Sequence, residues 1–373
     1  GQAVIAAGIV VGGLGVMTLA SILGFAVSRH LGLTQRMLAT QETGTGAMGQ
    51  ISTLLKAVIA TSLSMQALLA AMFLPRFLAM GFDPVRAIWD AVFMAISVFN
   101  NAGFVILPDG LAPHVTDWWM LIPIILGTTV GAIGFPVIMD VAKNLRTPRR
   151  WRLHTKLTLS TYLILAFVGA LAMALTEWHN PTTLGAIDTP SKILNAMLAG
   201  VNSRSSGLSA LDVGAMHSQT HFVQDILMMI GGGSASTAGG VKVTTFAVLV
   251  LAVIAEARGD RDIETFGRRI PTSTIRLSVA VSLLGLALVA ISVVLLMSMT
   301  DYTLDIILFE TVSAFATVGL STGITPILPV GAKYVLIFLM FAGRTGSMTV
   351  AAALALRQRS RVIRMPEEQP IIG

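Results

Sequence analysis

Long apolar runs alternate with short polar stretches along most of this chain. Windows of roughly 20 apolar residues are typical of helices that cross a lipid bilayer. Seven runs predict such crossings, at about 4–27, 51–74, 119–141, 157–175, 222–255, 275–298 and 333–356. The pattern therefore predicts an all-α polytopic membrane protein.

Three polar stretches interrupt this pattern in the same way, and each ends in a glycine. Aligned on that glycine, they lie 104 and 112 residues apart. Each follows an apolar run that is too short to cross a bilayer and precedes a long one. This order predicts a half-helix that enters the membrane, an extended segment that turns back, and a full helix that completes the crossing. Lipid tolerates such backbone only where it lines a watery cavity or is buried in protein.

We name these stretches loops A, B and C. Loop A comprises Ser97, Val98, Phe99, Asn100, Asn101, Ala102 and Gly103. Loop B comprises Val201, Asn202, Ser203, Arg204, Ser205, Ser206 and Gly207. Loop C comprises Ser313, Ala314, Phe315, Ala316, Thr317, Val318 and Gly319. The final glycine permits a positive φ, so successive carbonyls can face a common axis and coordinate a cation.

The polar side chains of the loops are expected to support this backbone. We expect hydrogen bonds behind the loops, in preference to direct ion coordination, from Asn100, Asn101, Ser203, Ser205 and Thr317. Arg204 places a cation beside a predicted cation site. It is expected to point away from the ion and to fix loop B to a carbonyl or to an external acid, because an unpaired charge at this depth is costly.

The order of outer helix, loop and inner helix divides the chain into repeated units. We predict an inner helix of unit 1 with a cytoplasmic loop (1–50), unit 2 (51–156), unit 3 (157–274), unit 4 (275–356) and a cytoplasmic tail (357–373). Small-residue clusters begin 24–28 residues after the loop glycines, at Gly131, Gly231 and Gly343. The chain opens with a similar cluster, so we expect a first outer helix and a first loop before Gly1. A three-unit protein with one extra helix is the alternative.

A glycine-rich segment interrupts the third inner helix. It comprises Gly231, Gly232, Gly233, Ser234, Ala235, Ser236, Thr237, Ala238, Gly239 and Gly240, with Lys242 close behind. Five glycines and three hydroxyl residues in twelve positions do not hold a straight helix. We expect the chain to unwind below the loops and to act as a gate; a packing kink is the alternative.

Two basic residues accompany this segment. Arg344 occupies the corresponding depth on the fourth inner helix. It is expected to bind carbonyls or hydroxyls of the glycine-rich segment and to add an electrostatic barrier in the ion path. Lys242 either does the same or extends to the cytoplasm.

Composition and charge exclude several classes of protein. Hydrophobic residues make up 54% of the 373 positions and charged residues 12%, whereas soluble proteins carry about 25% charged residues. Cysteine is absent, and the sequence contains no Walker loop, zinc-ligand cluster or nucleophile elbow, so we do not expect an enzyme. The loops predicted on one side hold 18 of the 25 lysines and arginines. This bias predicts a cytoplasmic side and argues against a nucleic-acid partner.

Acidic residues favour the predicted outer side. They would concentrate cations at the entrance of a pore. The alternative is that outer loops simply lack selection for lysine and arginine.

Several motifs together resemble one family. The stretches SVFNNAGF, SAFATVGLSTG, GGVK, FGRRIP and PEEQPIIG are similar to those of the Trk/Ktr/HKT superfamily of potassium transporters, and of its bacterial Ktr/Trk membrane subunits in particular. The resemblance covers essentially the whole chain. One departure is Ser205-Ser206, where many relatives have Thr-Ala.

The resemblance implies a pseudo-fourfold arrangement of four units around one pore. Loops A, B and C would then form a selectivity filter for potassium, with Gly231–Gly240 as the gate and Arg344 as the basic residue of the last inner helix. No cofactor is implied; potassium is the substrate, and sodium is a candidate second substrate and a candidate coupling or activating ion.

The resemblance also implies partners and a location. Relatives form homodimers on a cytosolic ring of nucleotide-binding regulatory subunits. The basic stretches at 143–156 and 256–276 would form the docking surface. The expected location is the plasma membrane of a bacterium.

Two other functions are compatible with a membrane protein of this kind. A secondary transporter of a small organic solute would explain broken helices at the midplane, but the loops recur in one orientation, which favours a pore. A non-transporting scaffold would explain the apolar helices. Polar, glycine-rich backbone at several equivalent depths argues against that role.

Overall fold

The computed structural model describes residues 1–30 and 47–346. The predicted tail at 357–373 and the end of the seventh predicted crossing lie outside the described residues. Within them, the long helices are α1 (Gln2–His30), α2 (Ala47–Ala79), α6 (Leu153–Glu177) and α10 (Thr272–Met299). The remaining α-helices are α3 (Pro84–Phe99), α4 (Trp118–Ile133), α5 (Phe135–Lys143), α7 (Thr189–Asn202), α8 (Ser218–Met229), α9 (Val243–Arg258), α11 (Leu304–Phe315) and α12 (Val330–Phe341).

Of the seven predicted crossings, three are single helices long and apolar enough to span a bilayer in the described part of the chain. They are Leu55–Ala79, Leu153–Glu177 and Thr272–Met299. The run at 119–141 is not straight, because α4 and α5 meet at an angle of 97°. The run at 222–255 is two helices, α8 and α9, which flank the glycine-rich segment. The described apolar part of α1, Gln2–Gly15, is shorter than a full span.

The bend between α4 and α5 occurs at Gly134, where the hydrophobic pattern predicts a continuous helix. Gly134 has φ 92°, a left-handed value that favours glycine. Pro136 follows in the first turn of α5, where a missing N–H costs nothing. This glycine and proline pair is the local signal for the break.

Three short helices repeat along the chain, as the sequence predicts. They are α3, α7 and α11, and each packs against the long helix that precedes it, α2, α6 and α10 respectively. Asp83 caps α3 through the N–H of Val85, and Asp188 caps α7 through the N–H of Ser191. Several acids on the predicted outer side therefore have a local structural role, because a carboxylate satisfies free N–H groups at a helix start.

The core divides into two large hydrophobic clusters among the described residues. One joins α2, α3 and α4, where the rings of Phe73, Phe77 and Phe82 stack in series. The other joins α10, α11 and α12 around Phe309 and Phe315. A two-stranded antiparallel hairpin, β1 (Ile263–Thr265) and β2 (Arg268–Ile270), lies in the basic stretch between α9 and α10. The clusters hold the short helices in place, so the loops that follow these helices have fixed positions.

Two buried carboxylates organise the polar connections on the predicted outer side. Glu177, at the end of α6, is fully buried. It accepts hydrogen bonds from Asn180, Thr183 and Thr220 and from the N–H of His217. Glu310 on α11 accepts from four groups in the stretch after loop C: the Ser321 hydroxyl, the Thr322 N–H and hydroxyl, and the Thr325 hydroxyl. Each carboxylate thus fixes a connection that the hydrophobic clusters do not reach.

We expect Glu177→Gln to destabilise the folded protein, because a buried amide would direct its N–H₂ group at donors that need an acceptor. The expected cost is about 1–3 kcal/mol, and thermal unfolding in detergent measures it. Glu264→Gln, on the exposed face of β1, is the matched control and should change stability by less than about 0.5 kcal/mol. Equal midpoints for the two variants would contradict the role assigned to Glu177.

Candidate functional site

Loops A and C close the C-terminal ends of their short helices with the same hydrogen bonds. In loop A, Asn101 N–H donates to the carbonyl of Val98 and Ala102 N–H to that of Ser97, over 3.1 and 2.9 Å. In loop C, Thr317 N–H donates to Ala314 and Val318 N–H to Ser313, again over 3.1 and 2.9 Å. This pair of bonds is the Schellman motif. Two stretches far apart in sequence therefore share one backbone conformation.

The motif requires a left-handed residue, and here that residue is not glycine. Asn101 has φ 51° and Thr317 has φ 52°. Such a φ is uncommon for asparagine and a clear outlier for a β-branched threonine. Backbone strain of this kind concentrates at functional sites. Loops A and C therefore carry a cost that packing alone does not explain.

Loop B turns back by a different route. The N–H groups of Ser205 and Gly207 both donate to the carbonyl of Asn202. The Asn202 side chain then donates to the carbonyl of Leu208 over 2.6 Å. Ser313 does the same in loop C, where its hydroxyl donates to the carbonyl of Leu320 over 2.6 Å. In both loops a side chain at the helix end thus fixes the residue that follows the loop glycine.

The glycines at the ends of the three loops converge. Gly103, Gly207 and Gly319 have φ values of 76°, 62° and 94°. A Cβ on Gly103 would collide with the Ser206 carbonyl oxygen, and a Cβ on Gly207 would lie 2.6 Å from the carbonyl carbon of Gly319. Loop A therefore contacts loop B, and loop B contacts loop C. Gly103 and Gly207 have room for a hydrogen atom and not for a methyl group, whereas a Cβ on Gly319 would approach only Gly207 Cα, at 4.0 Å.

The converging backbone offers only neutral oxygen atoms. None of the three loops contains a carboxylate. The C-terminal ends of α3, α7 and α11 lead into the loops, and this end of a helix carries partial negative charge. Carbonyls and helix ends of this kind replace the hydration shell of a monovalent cation without binding it as tightly as carboxylates would.

The polar side chains of the loops divide into two groups. Asn100 donates to Ile96 O over 2.9 Å, and Asn101 donates to the hydroxyl of Thr237 over 2.6 Å. These two support the backbone as expected. The hydroxyls of Ser203, Ser205 and Thr317 have no hydrogen-bond partner among the described residues. For these three, the expected bonds behind the loops are not seen.

Arg204 points away from the converging glycines. Its side chain is fully buried. The guanidinium lies over the ring of Tyr162 on α6, with Cζ 3.7 Å from the ring centroid. One nitrogen donates to the backbone carbonyl of Tyr162 over 2.8 Å. Of the two expected anchors, a carbonyl and an external acid, the structure shows the carbonyl.

The glycine-rich segment is non-helical and buried, as the sequence predicts. Its two ends are tied together by backbone bonds, from Gly231 N–H to Val241 O over 2.8 Å and from Val241 N–H to Met229 O over 3.2 Å. We call this closure the neck of the segment. The Ser236 hydroxyl bonds to Gly233 O over 2.6 Å and holds the turn inside. The result is a closed loop that begins and ends at the same point of the inner helix.

The break at Gly134 supplies partners for this loop. The carbonyls of Gly131 and Ala132 no longer accept hydrogen bonds within the helix. They accept instead from the N–H groups of Thr237 and Gly233, over 3.4 and 2.7 Å respectively. In return, Phe135 N–H donates to the carbonyl of Ala235. Two irregular segments from different units therefore satisfy one another. This mutual pairing is what keeps unwound backbone stable in an apolar interior.

The segment also contacts loops A and C. The Thr237 hydroxyl accepts from Asn101 and lies 3.4 Å from the carbonyl of Phe99. On the other side, a Cβ on Gly239 would lie 2.7 Å from the carbonyl oxygen of Ala316. Thr237 and Gly239 thus bring the segment against the inner ends of two loops.

Both basic residues bind the segment. Arg344, in a π-helical turn (Ala342–Gly346) after α12, donates to the carbonyl of Thr237, as expected. Lys242 is buried and folds back, and its ammonium donates to Ala238 O over 2.5 Å. Of the two alternatives for Lys242, extension to the cytoplasm is therefore wrong. Two positive charges lie beside the unwound backbone.

Comparison with known proteins places this geometry in a family. The family described as "TrkH: Cation transport protein" matches residues 1–362. The chain belongs to the TrkH family of cation transport proteins. It is therefore a membrane transporter and not an enzyme.

Named relatives align with this chain over about four fifths of their own length. The Ktr system potassium uptake protein B of Bacillus subtilis is 37% identical over 100% of this chain and 83% of the relative. The protein of the same name from Vibrio alginolyticus is 33% identical over 97% and 80%. The potassium/sodium uptake protein NtpJ of Enterococcus hirae is 30% identical over 100% and 83%.

A solved structure of a TrkH-family protein has the same fold. The crystal structure of the potassium transporter TrkH from Vibrio parahaemolyticus superposes with a TM-score of 0.66 at 17% identity, over 92% of this chain and 69% of that one. At this identity the likeness concerns the fold alone. It supports the helical architecture described above.

We expect Gly207→Ala to abolish cation transport, because the added methyl group would meet loop C and would occupy a left-handed backbone position. Gly323→Ala is the matched control: Gly323 has φ 93° but nothing within 4 Å of a Cβ. Rubidium flux into liposomes measures both. Near-normal flux in Gly207→Ala, with the control also active, would contradict the close approach of loops B and C.

Proposed function

We propose that this chain is the membrane subunit of a bacterial potassium-uptake system, located in the plasma membrane. Loops A, B and C form its selectivity filter, and their backbone carbonyls coordinate potassium. The observation that carries the proposal is the contact of loop A with loop B at Gly103 and of loop B with loop C at Gly207. Relatives named as potassium uptake proteins align with 97–100% of this chain, and this supports potassium as the transported ion.

The order of contacts supports a pseudo-fourfold pore. Loop A contacts loop B and loop B contacts loop C, which is the order of the units along the chain. Gly13 of α1 lies against Asn100 of loop A, where a Cβ would come within 2.9 Å of the asparagine Cγ. Successive predicted units are therefore in contact, which supports an arrangement around one axis.

The glycine-rich segment, Gly231 to Gly240, is the gate of this pore. Its contacts with the inner ends of loops A and C support a position across the ion path. Apart from the bonds from Arg344 and Lys242, its hydrogen bonds join neutral groups, and these exchange for bonds to water at low net cost. Lys242 and Arg344 add positive charge, which raises the barrier for a cation while the segment is in place.

The chain works with other components, as the "Ktr system" names of its relatives indicate. Its partners in this proposal are a second copy of the chain and a cytosolic ring of nucleotide-binding regulatory subunits. The basic stretches at 143–156 and 256–276 would meet the ring. The hairpin of β1 and β2 projects Arg268 and Arg269 as exposed side chains there, and this supports a role in docking.

Rubidium uptake into liposomes, with sodium as competitor, tests the filter. We expect Gly319→Ser to lower rubidium uptake and to weaken discrimination against sodium, because a side chain at φ 94° disturbs the carbonyls beside it. Gly110→Ser is the matched control, since Gly110 also has a positive φ and an open surrounding. Unchanged selectivity in a folded Gly319→Ser protein would refute the filter assignment.

Removing contacts of the gate should raise flux. Thr237→Val keeps the shape of the side chain and deletes the hydroxyl that bonds loop A and Gly131 O. We expect rubidium flux to rise several-fold, since each lost bond weakens the closed state by about 1 kcal/mol. Deletion of residues 232–239 should raise it further.

The control for these gate variants is Thr300→Val, which removes a hydroxyl bonded only to its own helix, at Leu296 O. It should leave flux unchanged. Equal or lower flux in correctly folded Thr237→Val and deletion proteins would remove the gate role.

A further inference from the structure

Tyr162 is a buried aromatic residue in the middle of α6 that none of the sequence motifs includes. Its side chain is fully buried. One face of its ring carries the guanidinium of Arg204, which belongs to loop B, at 3.7 Å. The same ring packs in a hydrophobic cluster with Ala132, Ile230 and Val243. Tyr162 therefore touches a filter loop and a second element at the same time.

That second element is the neck of the glycine-rich segment. Ile230 lies between the residues that form the neck, and Val243 N–H bonds to Gly232 O over 3.0 Å. Ala132 is the residue of α4 whose carbonyl accepts from Gly233. The three buried partners of Tyr162 in this cluster are thus linked to the segment through the backbone. A displacement of the segment that opens the neck must disturb the packing around the ring.

The contact between Tyr162 and Arg204 is strong because the guanidinium has few other partners. Arg204 is buried without a carboxylate partner among the described residues, and two of its nitrogens, Nε and one Nη, have no hydrogen-bond partner there. The Tyr162 ring and backbone carbonyl are its described contacts. A desolvated guanidinium over an aromatic face is held firmly. Loop B therefore depends on the position of this one ring.

We propose that Tyr162 is a positioning residue that couples the gate to the selectivity filter. When the glycine-rich segment is closed, its neck holds the Tyr162 ring, and the ring holds Arg204 and loop B in the arrangement described above. When the neck opens, the ring shifts, and loop B shifts with it. Ion selectivity and gating are then linked through unit 3. This inference rests on the proposed function of the loops and of the segment.

The test compares Tyr162→Phe with Tyr162→Leu by rubidium and sodium flux in liposomes. Phenylalanine keeps the aromatic face, whereas leucine keeps apolar packing and loses that face. We expect Tyr162→Phe to retain wild-type selectivity. Tyr162→Leu should reduce the rubidium-to-sodium flux ratio by up to about thirtyfold, the factor that corresponds to the loss of a desolvated cation–π contact. Phe167→Leu, an exposed aromatic on the same helix, should change neither flux nor ratio.

Coupling to the gate is tested by combining Tyr162→Leu with the deletion of residues 232–239 and comparing the double variant with each single one. If Tyr162 acts between gate and filter, the effects of Tyr162→Leu and of the deletion on the flux ratio are not additive. Additive effects, or an unchanged ratio in a folded Tyr162→Leu protein, would overturn the proposal. Loss of selectivity in Tyr162→Phe would also overturn it, because the hydroxyl and not the ring would then matter.

These outcomes are separable from failure of the filter assignment. If Gly319→Ser changes selectivity and Tyr162→Leu does not, the filter stands and only the coupling fails. If neither variant changes selectivity, the filter assignment itself is wrong. Thermal unfolding of each purified variant shows whether the protein is folded when its rubidium-to-sodium flux ratio is reduced.

Discussion

Backbone that leaves the helical path inside a membrane must find hydrogen-bond partners in the protein, because lipid offers none. This constraint explains why the irregular segments of the chain lie together. The carbonyls of Gly131 and Ala132, which the bend at Gly134 frees from helical pairing, accept hydrogen bonds from the glycine-rich segment. The N–H of Phe135 donates a hydrogen bond to the segment. Loops A and C close their own helix ends and then meet the same segment. None of these segments would be stable at this depth alone.

The same constraint connects structure to transport. Backbone that has paired all its N–H groups still has free lone pairs on its carbonyls, and these are the ligands that a monovalent cation needs. The left-handed residues Asn101 and Thr317 turn the chain two residues before the loop glycines Gly103 and Gly319. Burial of Arg204 against Tyr162 keeps the one charge in loop B away from that region. In the proposed filter, neutral oxygen atoms are left to face the ion.

Much of this site could be predicted from the sequence. The positions of the three loops, the unwound segment and the contact of Arg344 with the segment follow from residue type and spacing. For Arg204 the sequence leaves a carbonyl and an external acid as anchors, and only the structure decides for the carbonyl. What could not be predicted depends on distant partners. The bend at Gly134 is stabilised by a segment about 100 residues away, although Gly134 and Pro136 mark it locally. Tyr162 and Glu177 carry no motif, because their roles arise only where helices pack.

Locating the bound ion tests the assignment of loops A, B and C as the selectivity filter most directly. An experimental density map of the protein in rubidium, with anomalous scattering to identify the metal, shows which atoms coordinate it. The account predicts a rubidium peak at coordination distance from backbone carbonyls of loops A, B and C, beside Gly103, Gly207 and Gly319. A map in which these carbonyls face lipid or protein, with rubidium bound elsewhere or coordinated by carboxylates, would contradict it.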